Sequence, residues 1–302
     1  MPEESRTPGT IAFIGLGQMG LPMSGRLAAA GMAVRGFDMS EAAMSKLAAA
    51  GGQVFSTARQ AAEGADVLIT MLPNSKIVRD VLLGDGDAAG ALAADALVID
   101  MSSSAPLDTR ALGKALEERG IRLIDAPVSG GVARAREGSL AIMLGGEPED
   151  IERARGILAP MGTRIFPTGK LGSGHAMKAL NNYVSAAGLV AACEALIVGA
   201  AFGLEPATIT DVLNASTGRN NSTELKLKQH IISGTFGSGF GLALLAKDIG
   251  IAADLADEIG RPARGMRASA EIWTEATAEL GEAADHTEIY KLLADGGRGS
   301  PR

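Results

Sequence analysis

Ile11-Ala12-Phe13-Ile14-Gly15-Leu16-Gly17-Gln18-Met19-Gly20 decides the fold. Four apolar residues run into a G-x-G-x-x-G, and helical spacing begins at Met19. A strand that turns through glycines into a helix opens a βαβ unit. Gly15 permits the tight turn, Gly17 lets the backbone approach a pyrophosphate, and Gly20 allows close helix–strand packing. Leu16, Gln18 and Met19 complete the turn, and the helix they lead into offers free N–H groups to phosphates. An acid is expected about 20 residues on, at the end of the second strand. Asp38 stands there. Its carboxylate would accept hydrogen bonds from a ribose diol and repel a 2′-phosphate. Met39 and Ser40 follow, with no base directly after the acid. The pattern predicts NAD in preference to NADP. A glycine turn without a ligand is the competing reading; strand, helix and acid together speak against it.

The same alternation continues outward. Strands are predicted at Ile11–Ile14, Ala33–Phe37, Val67–Met71, Ala96–Asp100, Leu123–Asp125, Ala141–Leu144 and Arg164–Phe166. Helical spacing fills Met19–Ala30, Ser40–Ala50, Ser75–Leu83, Pro106–Arg119 and Pro148–Leu158. Such alternation means an α/β fold with a doubly wound, mainly parallel sheet whose ligands sit at the carboxyl ends of the strands. Past Gly172 the strand signals stop. A stretch from Gly174 to Phe202 would form a helix about 43 Å long at 1.5 Å per residue. It is apolar on nearly every face, with Ala176, Leu180, Val184, Ala187, Leu189, Val190, Leu196, Ile197 and Val198. A helix like that needs cover on all sides. Further helices are expected at Pro206–Ala215, Glu224–Ser233, Leu242–Glu258, Pro262–Leu280 and His286–Leu293. The expected division is an NAD-binding domain over 10–173 and an all-α domain over 174–295, joined by the long helix. The tail after Asp295 is expected to be frayed.

Composition narrows the function classes. The 302 residues carry a formal net charge of -7, 46% hydrophobic and 21% charged residues. That is a globular chain, and its charge gives no support for nucleic-acid binding; Lys226 to Lys228 is too small a basic cluster to alter this. A single cysteine, Cys193, rules out an intrachain disulfide and suits a reducing compartment, so a cytoplasmic location is expected. Met1 to Gly9 is polar and predicts no signal peptide. Val184–Ala201 raises the membrane question, but Glu194 lies within it and basic flanks are missing, so a buried helix is expected. No metal site is expected.

Three further stretches carry candidate chemistry. Asp125-Ala126-Pro127-Val128-Ser129-Gly130-Gly131 follows a strand at the sheet's carboxyl edge. The Ser129 hydroxyl and the backbone N–H groups of Gly130 and Gly131 can hold a carboxylate; alone, the stretch reads equally as a glycine-rich turn. In Gly172-Ser173-Gly174-His175-Ala176-Met177-Lys178-Ala179-Leu180-Asn181-Asn182, Lys178 and Asn182 share one helix face. A lysine against an apolar wall can trade protons with an alcohol, and Asn182 could orient it or the substrate. Solvating the helix start is the alternative. Lys247-Asp248, amid apolar helical residues, reads as an interdomain salt bridge or a cofactor contact.

These segments, in this order and spacing, resemble the β-hydroxyacid dehydrogenase family, typified by 3-hydroxyisobutyrate dehydrogenase and tartronate semialdehyde reductase. The resemblance runs from about Thr10 to Leu293. It implies a Rossmann domain, a long interdomain helix and a helical domain that builds a homodimer or homotetramer. It implies NAD-dependent, reversible hydride transfer with a small 3-hydroxy acid. Lys178 matches the catalytic lysine and Asn182 the asparagine beside it. Ser129, Gly130 and Gly131 match the substrate-carboxylate loop. Leu72 and Pro73 match the loop over the dinucleotide, Lys247 the lysine near the cofactor, and Asp248 the acid after it. Ser103 stands where threonine is usual and keeps the hydroxyl for the cofactor. Two departures bear on the substrate. Asn221 replaces an aromatic residue in the loop Ser216–Asn221, favouring a hydroxylated substrate. Arg134 replaces a glycine after the Ser-Gly-Gly loop, where it would meet a polar distal group or point to solvent. Rival readings are a tartronate semialdehyde reductase, an imine reductase, which usually lacks the lysine and prefers NADP, and a non-catalytic dinucleotide-binding protein.

Overall fold

The structure is a computed structural model that describes residues 9–296. The N-terminal stretch and the tail from 297 lie outside the described residues, and with them most of the segments expected to lack a signal peptide and to fray. The chain divides into two compact units at Lys178/Ala179.

The first unit alternates strands and helices. Its order is β1 (Ile11–Ile14), α1 (Gly20–Ala29), β2 (Val34–Phe37), α2 (Glu41–Ala49), β3 (Gln53–Val54), α3 (Ala58–Ala62), β4 (Val67–Thr70), α4 (Ser75–Leu83), β5 (Leu97–Asp100), α5 (Pro106–Glu117), β6 (Arg122–Asp125), β7 (Val128–Ser129), α6 (Gly131–Glu137), β8 (Ala141–Gly145), α7 (Pro148–Leu158) and β9 (Arg164–Gly169). The strand order is β3-β2-β1-β4-β5-β6-β8-β7, with β9 on β8. From β3 to β6 all pairings are parallel, and β8 runs antiparallel to β6 and β7. Alternate residues serve the two faces. Ile11, Phe13, Ile69 and Ile99 enter one core, while Ala12, Ile14, Leu68 and Val98 enter the other. All eight are buried, as a sheet covered by helices on both sides requires.

The second unit is helical. It contains the greater part of α8 (Ser173–Phe202), then α9 (Pro206–Ala215), α10 (Asn221–Leu225), α11 (Leu242–Glu258), α12 (Arg264–Leu280) and α13 (Ile289–Ala294). Its core gathers Ala186, Leu189, Cys193 and Leu196 of α8 around Trp273 of α12. Among the described residues, α8 is long and apolar enough to cross a membrane by length and composition. Ala186, Leu189, Cys193 and Leu196 on this helix are buried in the core of the unit, while Val184, Val198 and Phe202 are exposed.

Several expectations need correction. Glu224–Ser233 is no single helix. Asn220 caps α10 through a capping box with Thr223, the helix breaks at Lys226, and Leu227–Ile232 forms a wide π turn. The last helix starts as a 3₁₀ turn, His286–Glu288, before α13. Asn221, expected in a loop, is the first residue of α10. Ser129 and Gly131 lie in β7 and α6, so the Ser-Gly-Gly stretch is a strand-to-helix junction. The elements β3, α3, β7 and α6 have two to seven residues, too few for a period to show.

Candidate active site

Strand order reverses between β1 and β4, and ligands of such sheets bind beyond the carboxyl ends at that point. The three glycines of the first turn differ there. Gly15 has φ +97°, and a Cβ on it would lie 2.3 Å from the Met71 carbonyl oxygen after β4. A Cβ on Gly20 would lie 1.9 Å from the Gly15 carbonyl oxygen. These two let strand, turn and helix close up. Gly17 has nothing within 4 Å in its Cβ direction and is exposed, with Gln18 exposed beside it and Met19 half-buried. The first turn of α1 has no side-chain cap and no acid. Its N–H groups therefore suit an anion.

Asp38, at the end of β2, is tied to this turn. Its carboxylate accepts the Leu16 N–H at 2.6 Å and the Ser40 N–H at 2.8 Å. A carboxylate has about four acceptor positions, so two remain for a diol. A groove of about 620 Å³ beside the turn is lined by Leu16, Gly17, Gln18, Ser40, Lys46 and Arg136. The open cradle at Gly17, the oriented Asp38 and this groove fit a nicotinamide dinucleotide.

Asp100 ends β5 and is buried. It accepts from the Thr70 hydroxyl at 2.9 Å, the Ser102 N–H at 3.0 Å and the Ser104 hydroxyl at 2.8 Å. The Ser102 hydroxyl in turn accepts the Leu72 N–H at 2.9 Å. Leu72 is thus tied through Ser102 to the buried Asp100, with Pro73 and Ser103 next to these residues in the chain. Ser102 and Ser104 face inward, and Ser103 between them is half-exposed.

Asp125 ends β6, four residues before Ser129. Its carboxylate accepts the N–H groups of Gly172 and His175, both at 2.7 Å. Burial pushes its pKa above the usual carboxylate value, opposed by His175 and by these two donors. Ser129 is half-buried and pairs with Ala141, and Gly130 takes φ +138°. Arg134 is exposed, but its stem folds back over Gly130, where a Cβ would meet its Cδ at 2.7 Å. Lys178 is half-buried in the second turn of α8. Asn182, one turn further, is buried, and its amide donates to Asp248 at 2.7 Å. Lys247 Nζ lies 3.7 Å from the other oxygen of Asp248. Asp248 therefore gathers Asn182 and Lys247. Asn221 is exposed at the start of α10.

The sequence pattern assigns no role to Asp100 or His175 and marks Asp125 only as the start of its motif. The available signal was an aspartate closing each of two adjacent strands. Among the described residues, no group of three or more His, Cys, Asp or Glu could hold a metal ion.

Residues 10–169 match the family model for the NAD binding domain of 6-phosphogluconate dehydrogenase. Residues 172–293 match the model described as NAD-binding of NADP-dependent 3-hydroxyisobutyrate dehydrogenase. The chain is 37% identical to 2-(hydroxymethyl)glutarate dehydrogenase of Eubacterium barkeri over 82% of each chain. It is 37% identical to 3-hydroxyisobutyrate dehydrogenase of Pseudomonas aeruginosa over 93% of this chain and 97% of that one. The solved structure of Mycobacterium tuberculosis 3-hydroxyisobutyrate dehydrogenase with L-serine superposes with TM-score 0.88 at 36% identity, covering 95% of this chain and 99% of that one. Imine reductases from Streptomyces aurantiacus, Pseudomonas sp. and Myxococcus stipitatus share the fold, at 20%, 14% and 18% identity. Two family models over nearly the whole chain, and relatives above one third identity, make this chain a member of the β-hydroxyacid dehydrogenase family of NAD(P)-dependent oxidoreductases.

Proposed function

We propose that the chain is an NAD-preferring dehydrogenase of a small 3-hydroxy acid, with Lys178 as general acid and base. The observation that carries this reading is the convergence on Asp100 and Asp125 of the Leu72–Pro73 loop, the Ser103 loop, the strand leading to Ser129 and the start of the helix bearing Lys178. Relatives are named for 2-(hydroxymethyl)glutarate, L-serine and 3-hydroxyisobutyrate. Those three compounds share a hydroxymethyl group on the carbon that bears a carboxylate. Ser129, Gly130 and Gly131 suit that carboxylate. Lys178 suits the alcohol, and Asn221 and Arg134 suit a polar substituent.

Bound nicotinamide supplies the hydride chemistry. Neutral Lys178 takes the hydroxyl proton during oxidation, and its ammonium form returns it during reduction. Such proton transfer contributes about 10²–10⁴-fold. Asn182, its amide fixed by Asp248, orients the substrate oxygen. Asp38 favours NAD by repelling a 2′-phosphate. Leu16, Gln18 and Met19 support the pyrophosphate with the glycines, and Lys247 contacts the cofactor.

In this reading residues 10–173 bind NAD, and 174–295 serve substrate and assembly. A second copy, in a homodimer or homotetramer, covers the apolar side of α8 that exposes Val184, Val198 and Phe202. The buried free thiol of Cys193 supports a reducing, cytoplasmic location. The test is absorbance at 340 nm with NAD or NADP and a panel of 3-hydroxy acids, among them 3-hydroxyisobutyrate, L-serine, D-glycerate and L-threonate. NAD-linked turnover of at least one supports the reading. NAD binding without turnover of any favours a non-catalytic dinucleotide-binding protein.

A further inference from the structure

We infer that His175 is a positioning residue for Lys178; the inference rests on the acid–base reading of Lys178. The first amide groups of a helix have no partner within it. In α8 they are met from across the fold by Asp125, which accepts from Gly172 and His175 at 2.7 Å each. The fit is tight. A Cβ on Gly174 would lie 2.4 Å from the Met143 carbonyl oxygen and 2.8 Å from Asp125 Oδ2. A Cβ on Gly145 would lie 2.3 Å from Asp125 Oδ1. The helix start is thereby pressed against β6 and β8.

The imidazole then fixes the helix's rotation. His175 is 1% exposed. Its Nε2 lies 3.0 Å from the Ser102 carbonyl oxygen. A carbonyl only accepts, so Nε2 carries a proton. Its Nδ1 lies 2.8 Å from the Thr109 hydroxyl of α5. One oxygen each of Asp100 and Asp125 stands 3.7 Å from the ring nitrogens. Lys178 follows three residues later, on the same side of the helix and about 4.5 Å along it. Fixing the ring therefore fixes the height and phase of Lys178. Ser102, whose carbonyl accepts a hydrogen bond from the ring, also accepts from the Leu72 N–H through its hydroxyl and precedes Ser103. One network therefore holds the proton carrier in register with the loops proposed to contact the cofactor. Burying so many polar groups gains little stability over an apolar side chain; it gains a defined geometry.

The test compares His175→Ala, His175→Gln and His175→Asn, each also with Lys178→Ala. The assay uses NAD and the acid of the panel oxidised fastest, with NAD affinity from calorimetry. His175→Ala should lower kcat about 10- to 100-fold, the scale of a misplacement near 1 Å. KM and the NAD Kd should stay within about threefold. His175→Gln keeps an N–H that reaches Ser102 and should restore most of kcat, whereas the shorter His175→Asn should not. With Lys178 already replaced by Ala, His175→Ala should cost nothing further. A kcat for His175→Ala within about twofold of wild type would overturn the inference, as would an equal loss in the Lys178→Ala background. If His175→Ala does not fold, Gln and Asn carry the test, and equal rates for the two overturn it. A near-normal Lys178→Ala would sink the acid–base reading first and this inference with it. An inactive Lys178→Ala beside a normal His175→Ala would sink the inference alone.

Discussion

Single side chains here carry separable tasks. Asp38 holds the turn through Leu16 and Ser40 and keeps acceptor positions for a diol. We expect Asp38→Ala to reduce the ratio of kcat/KM with NAD to that with NADP by tenfold or more, the effect of about 1.4 kcal/mol. An unchanged ratio would contradict the ribose role. Lys226 bears on stability instead. Burial lowers its pKa to about 8, although Asp285 and Cys193 favour its charge. Its folded value lies below the unfolded one, so its favourable contribution exists above about pH 10.5 and is lost as pH falls through about 8. Lys226→Met should therefore raise the melting temperature at pH 7, by at most about 3 kcal/mol of stability. That gain should shrink between pH 8 and 10.5, which calorimetry across pH can check. Asp38 was readable because its distance from Gly15 is set by one βαβ unit. Asp100 and His175 were not, because their partners lie 30 and 66 residues away.

At the scale of elements, α8 joins two different environments. Its first turns are polar and tied to the sheet, while its later turns pack apolar residues around Trp273. Gly174→Ala tests the tie, since its Cβ meets backbone at 2.4 Å and nothing there can swing away. We expect a loss of about 1–3 kcal/mol in stability, the usual cost of overpacking, together with a fall in kcat. Thermal melts and rates near wild type would show that the helix start is loosely held. Long periodic elements were legible, and α4, α7, α9 and α11 begin and end where their sequence pattern does. The break at Lys226 was not, because Glu224–Ser233 keeps helical spacing through it. The capping box at Asn220 and the π turn decide the backbone there. The Ser-Gly-Gly segment was legible as a site candidate but not as a junction between β7 and α6.

For the whole molecule, the turn from strand signals to helical ones at Gly172 announced the α/β-then-α architecture. The parallel sheet followed from the alternation, while β8 reversed direction without any sequence cue. The all-round apolar character of α8 also carried over, since Val184 and Val198 remain 67% and 69% exposed. An uncovered stripe of that kind predicts assembly. Light scattering should report a dimer or tetramer, and Val198→Glu with Phe202→Glu should shift it toward monomer. A monomeric wild type would refute the assembly. The most direct test of the central claim is Lys178→Ala, assayed with NAD and the best acid of the panel alongside NAD binding by calorimetry. We predict unchanged NAD affinity and a kcat reduced by about 10²-fold or more. A kcat near wild type, with NAD bound as before, would contradict the assignment of Lys178 as the proton carrier.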